Sequence, residues 1–161
     1  MEKDKKILIY AYGNPGRQDD GLGNAVIELL EDWKHKNQLD YLSLDANYQL
    51  NVEDATEMHD KDLVIFIDAS MEDDIEEYGI TKVYPSDKLE FSMHATSPGY
   101  IVYLSEHLYG YSPPTYLMHI KGYEWAFNEP MTKKAEQNLY KALNCLKNIV
   151  THQNIAELES C

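Results

Sequence analysis

The 161-residue sequence predicts a single three-layer α/β domain: a mostly parallel, twisted sheet of about five strands with helices on both faces, in a phosphorylase- or hydrolase-like arrangement. Short apolar, β-branched runs alternate with stretches whose apolar residues recur every three or four positions, the pattern of strands joined by crossover helices. The run Leu63-Val64-Ile65-Phe66-Ile67 is apolar without alternation, as suits a strand covered on both faces. No repeat, linker or shift of composition divides the chain, so residues 1–150 are assigned to the domain and 151–161 to a C-terminal tail.

Residues 6–12 form the first strand and stop at the turn cluster Gly13-Asn14-Pro15-Gly16. From Gly21 onward, Leu22, Ala25, Val26, Leu29, Leu30 and Trp33 make the stripe of an amphipathic helix. A second strand fits residues 41–45, a short helix 52–58, and the central strand 62–68. The acidic stretch 72–77 reads as a solvated loop, and 79–84 as an edge strand. Ser97 and Pro98 are an N-cap and a first helical residue, which places a helix over 98–108 and leaves His94 in the loop before it. Residues 115–120 form a last strand. Residues 132–150 form a long helix with Ala135, Leu139, Leu143, Leu146 and Val150 toward the sheet.

Composition excludes several classes of function. The chain carries 28 Asp plus Glu against 14 Lys plus Arg, a formal net charge of −14, which repels a phosphate backbone and argues against nucleic-acid binding. Arg17 is the only arginine, so no multi-arginine phosphate clamp exists. No apolar run approaches the roughly 18 residues of a membrane helix, and the charged start has no signal-peptide core, so a cytoplasmic protein off the membrane is expected. Cys145 and Cys161 are too few for a disulfide scaffold, a zinc site or a redox pair. The glycines near Gly21 fail the register of a dinucleotide fingerprint, and neither HExxH nor GxSxG occurs.

Ligands of open α/β sheets bind beyond the carboxyl ends of the strands, which directs attention to three loops. The loop after the first strand offers Asp19 and Asp20 before a helix; one of them can cap it, which leaves the other free. Asp68 ends the central strand, where it serves either as a cap or as a functional acid. His94 is the one histidine presented by a loop at this edge, whereas His119 reads as a satisfied strand residue. Two carboxylates and an imidazole could bind a divalent transition metal while leaving coordination positions open. Cys145 reads as packing, and Arg17 as a loop arginine free to meet a substrate.

Three segments then carry a resemblance over nearly the whole chain: Ile7 through Asn14 with Asp19-Asp20-Gly21-Leu22-Gly23, Val64-Ile65-Phe66-Ile67-Asp68-Ala69, and His94-Ala95-Thr96-Ser97-Pro98. Together they resemble the hydrogenase maturation proteases, nickel-dependent endopeptidases that trim the C-terminal extension of the large subunit of nickel-iron hydrogenases. The resemblance implies that Asp20, Asp68 and His94 are both the catalytic set and the metal ligands. It also implies that nickel arrives with the substrate, so the resting site is empty or holds another divalent ion. Its implied partner is the hydrogenase large-subunit precursor, cut after a basic residue, and its implied state is a monomer.

Ile120 through Trp125, with Met131-Thr132 and Ala135 through Leu139, looks like the subgroup serving soluble, cofactor-reducing hydrogenases. Ala11 stands where that family commonly has glycine, and Met131-Thr132 where it has leucine-serine; Thr132 can still cap the last helix. Two other readings stay open on the same residues: a nickel-checking chaperone that holds the large subunit without cutting it, and a related α/β peptidase with another substrate, such as a spore protein.

Overall fold

A computed structural model describes residues 4–88 and 96–153 of the chain. His94, the third member of the expected triad, lies outside the described residues, as do residues 154–161 of the expected tail. In chain order the elements are β1 (Ile7–Tyr12), a 3₁₀ turn (Gln18–Gly21), α1 (Leu22–Asn37), β2 (Leu42–Asn47), α2 (Asp54–Met58), β3 (Leu63–Ser70), β4 (Tyr78–Lys82), α3 (Pro98–Tyr109), β5 (Thr115–Lys121) and α4 (Lys133–His152). The five strands lie in the order β2-β1-β3-β5-β4. All neighbours are parallel except the β4–β5 pair.

Strand alternation divides the core in two. Ile7, Ile9 and Ala11 of β1, with Ile65 and Ile67 of β3 and Met118 and Ile120 of β5, face α1 and α4. Leu8 and Tyr10, with Val64 and Phe66, face α2 and α3. All five residues expected on the sheet side of the last helix are buried there. That helix continues to His152, into the segment read as tail. Cys145 is buried on the same helix.

Helix ends follow their capping chemistry. Ser97 accepts from the Tyr100 amide at 3.2 Å with Pro98 in the first turn, and Gly110 closes α3 in the left-handed conformation. The edge strand expected near 79–84 is β4, and its antiparallel direction follows from the short acidic loop that joins it to β3, too short for a crossover helix.

The strand order reverses between β1 and β3: from β1 the chain goes out to β2, then returns past β1 to β3. The crevice beyond the carboxyl ends of these two strands is the switch point of the sheet. There α1 lies very close to β1. A Cβ built on Gly23 would sit 2.8 Å from the Ala11 Cβ and 3.4 Å from the Ile67 carbonyl oxygen. Ala11 can therefore stand at a position where the resembled family commonly has glycine because Gly23, facing it, has no side chain. Gly23→Ala should lower stability by about 1–3 kcal/mol through overpacking. The double variant Ala11→Gly/Gly23→Ala should recover most of that loss in a urea-denaturation double-mutant cycle; additive losses would contradict the contact.

A paired-carboxylate candidate site at the switch point

The two adjacent aspartates of the first loop have different fates. Asp19 is fully buried. Its Oδ1 accepts from the Thr132 amide at 2.8 Å, and its Oδ2 accepts from the Tyr123 amide at 2.7 Å, the Glu124 amide at 3.1 Å and the Thr132 hydroxyl at 2.8 Å. Its own amide donates to the Glu124 carbonyl at 3.1 Å. The Thr132 hydroxyl in turn accepts from the Ala135 amide at 3.2 Å, so the threonine caps α4 and donates to Asp19 together. Asp19 is thus a structural anchor between the loop after β1 and the segment that enters α4, not a member of an open site.

Asp20 is the free acid. Its Oδ2 accepts from the Asn14 amide at 2.8 Å, which turns the carboxylate back over the end of β1. Gly13 makes room for it: at φ 148 its backbone favours glycine, and a Cβ there would clash with the Asp20 carbonyl oxygen. The loop around it is clasped from outside. Gln18 donates to Glu124 at 3.1 Å and accepts from the Ala126 amide at 3.0 Å, and Asn128 donates to the Gly16 carbonyl at 3.0 Å. Arg17, left open above as a substrate contact, donates to the Trp125 carbonyl at 3.3 Å and lies 5.2 Å from the Phe127 ring centroid. Its guanidinium belongs to the same clasp.

Asp68 lies near the carboxyl end of β3, opposite His119 of β5 and beside Tyr12 at the end of β1. Tyr12, Asp68 and His119 therefore project from one face of three adjacent strands. Burial and the facing negative charge of Asp20 push the Asp68 carboxyl up to about 7; a hydrogen bond from the Tyr12 hydroxyl and the Ala69 amide oppose that rise. Burial first, then Asp68, raises Tyr12 in return. His119 is held by Thr81, with Nε2 and Oγ1 3.2 Å apart, and burial lowers its pKa against the raising charges of Glu72 and Asp74. The reading of His119 as a satisfied strand residue agrees with this. Tyr12 was not singled out from the sequence; its only signal there was the alternation that places Tyr10 and Tyr12 on one face.

Among the described residues, no group of three or more His, Cys, Asp or Glu side chains is placed to hold a metal ion. Asp20 and Asp68 nevertheless face one another as like charges, and burial together with Asp20 makes Asp68 hold its proton more tightly than an ordinary carboxyl. Paired hard oxygen donors of this kind suit a divalent ion that brings or finds further ligands. Asp20 and Asp68 thus lie near one another, and the place of His94 is outside the described residues.

Two measurements separate these roles. Asp19→Ala strands four donors and should cost about 3–5 kcal/mol, whereas Asp20→Ala should melt within about 1 kcal/mol of the parent. The raised carboxyl of Asp68 carries a definite sign: unfolded Asp loses its proton near 4 while the folded one keeps it to about 7, so stability falls as pH rises through that window. In metal-free buffer Asp68→Asn should therefore be more stable than the parent at pH 8 by about 4 kcal/mol, with the difference vanishing below pH 4. Parallel thermal melts across pH test this, and a gap independent of pH would contradict it.

No family sequence model matches the chain, and no curated protein matches it in sequence. Solved structures do. The hydrogenase maturating endopeptidase HybD from E. coli superposes with a TM-score of 0.70 at 17% identity, covering 92% of this chain and 94% of its own. The [NiFe] hydrogenase maturation protease HycI from Thermococcus kodakarensis gives 0.69 at 18% identity, covering 91% and 93%. A hydrogenase 2 maturation peptidase from a Thaumarchaeota archaeon gives 0.63 at 18% identity, covering 91% and 99%. Matched over nine-tenths of its length, this chain has the fold of the hydrogenase maturation proteases.

Proposed function

We propose that the chain is a hydrogenase maturation endopeptidase that removes the C-terminal extension from the nickel-loaded large-subunit precursor of a nickel-iron hydrogenase. The observation that carries this reading is the Asp20 and Asp68 pair, two carboxylates that face one another at the switch point of that fold. A third ligand, His94, is proposed from the sequence pattern alone. Nickel is cargo of the substrate in this reading, and its chemistry is Lewis-acid polarisation of the scissile carbonyl.

The chain's own residues supply the rest. Ionised Asp68 takes a proton from the attacking water, and the same proton leaves with the departing amine as the amide bond breaks. Tyr12 orients Asp68 through its hydroxyl, and the Asn14 amide orients Asp20. No helix among the described residues is long and apolar enough to cross a membrane. A monomer acting in the cytoplasm completes the proposal.

Purified protein mixed with nickel-loaded precursor should release one C-terminal peptide, read as a mass loss on the large subunit, and a nickel-free control should not. Asp20→Ala, Asp68→Ala and His94→Ala should each reduce processing by a factor of about 100 or more while the chain stays folded. A stable complex with no mass loss would instead favour the chaperone reading.

A further inference from the structure

A second group of acids lies on the same face of the sheet, one row in from Asp68. Tyr10 pairs with Asp45 of β2, and the helix α2 brings Asp54 and Glu57 over them. Asp54 is fixed by accepting from the Asn51 amide at 2.7 Å, and Asp45 by accepting from the Ala46 amide at 2.8 Å. Glu57 is exposed at the mouth, whereas Asp45 and Asp54 are half-buried. At the floor, Tyr10 is 1% exposed, and its hydroxyl, facing Asn47 and Asp54, makes no hydrogen bond of good geometry to any group. A buried hydroxyl left without a partner beneath three carboxylates is unusual, because such groups are normally satisfied.

We propose that Asp45, Asp54 and Glu57, above the Tyr10 hydroxyl, form a subsite for one cationic side chain, a guanidinium or an ammonium, of the polypeptide substrate. Three observations favour an organic cation. The group lies at the edge strand β2, which carries Asp45, and Glu57 is exposed there to an approaching chain. Among the described residues these acids do not converge as a metal-ion cluster does, which suits a broad planar or tetrahedral donor group rather than a point ion. Lys61, which lowers Glu57, is paired with Asp60 at 2.9 Å, and burial, then Asp45 and Asp54, still hold Glu57 up at about 7 against it. Asp54 is likewise raised, by burial and by its neighbours Asp45 and Glu53.

Two residues along β1 and about two strand spacings across, the recess lies on the order of 10 Å from Asp68, about three residues of extended peptide. A basic side chain held there would set the register of the segment presented to the Asp20 and Asp68 pair. The identity of the occupant as substrate rests on the peptidase reading; the cation subsite itself does not.

The test is a binding measurement on the full chain, independent of cleavage. An isotope-labelled sample is titrated by NMR with a blocked alanine pentapeptide carrying one central arginine, and with the same peptide carrying neutral citrulline. The arginine peptide should bind about tenfold tighter at low salt, with shifts centred on Asp45, Asp54 and Glu57. Glu57→Gln, an isosteric change, should remove that preference in a chain that still melts cooperatively and no lower than the parent. Equal binding of the two peptides, an unchanged preference in Glu57→Gln, or tight calcium binding that displaces the arginine peptide would each overturn the subsite. Precursor processing is followed in parallel: absent cleavage with the arginine preference intact refutes the peptidase reading and spares the cation subsite.

Discussion

The buried carboxylate of Asp19 is the interaction on which the geometry of the candidate site depends. It lies in a turn with no side-chain cap of its own, and it collects four donors from a segment more than a hundred residues later in the chain. A buried carboxylate is tolerated only when its lone pairs are satisfied in this way. The same contact brings Gly122 so close that a Cβ there would lie 2.9 Å from the Asp19 Cβ. Sheet packing alone would leave the loop after β1 held at its ends. The Asp19 network pins its middle, and the adjacent residue, Asp20, inherits a fixed position over β1.

That division explains how two neighbouring residues of one type do unlike work. Asp19 spends its lone pairs on backbone and hydroxyl donors. Asp20 accepts from the Asn14 amide and faces Asp68, where the encounter of two acids remains uncompensated within the described residues. Thr132 shows the same economy, since one hydroxyl accepts as the cap of α4 and donates to Asp19. Serine could make the same two bonds, so the exchange of the leucine-serine start for Met131-Thr132 leaves the joint intact.

Much of the architecture was legible because it is periodic. The unbroken apolar run of β3, the three- and four-residue stripes of α1 and α4, and the Ser97-Pro98 start of α3 each report a local rule, and each stands where that rule puts it. The reach of β3 to Ser70 and the edge place of β4 depend on pairing with β5, a partner some forty residues away that no local pattern encodes. The candidate site was legible to the level of residue type. Sequence could say that one of Asp19 and Asp20 is structural, but the choice between them is made by donors from 123, 124 and 132, which is tertiary information. For the same reason Arg17 looked open to a substrate, although its partners are Trp125 and Phe127. Tyr12 and the acids around Tyr10 carried no motif, and only the strand register reveals that they share a face.

The net charge of −14 connects these local facts. A chain this acidic, with one arginine already engaged, has few internal cations to place beside a buried acid. Asp68 beside Asp20, and Glu57 beside Asp45 and Asp54, both relieve their repulsion by keeping a proton near neutral pH. Such a proton is a placeholder. Any cation that binds must displace it, so binding releases a proton below about pH 7 and strengthens as the pH approaches that value, after which the competition ends. Both acid groups lie on the α2 and α3 face of one sheet, near the carboxyl ends of its central strands. A partner that carries positive charge at two points of one segment would therefore relieve both repulsions in a single encounter. In that view the surplus of acid is the complement of what the chain binds, and recognition and proton release become one event.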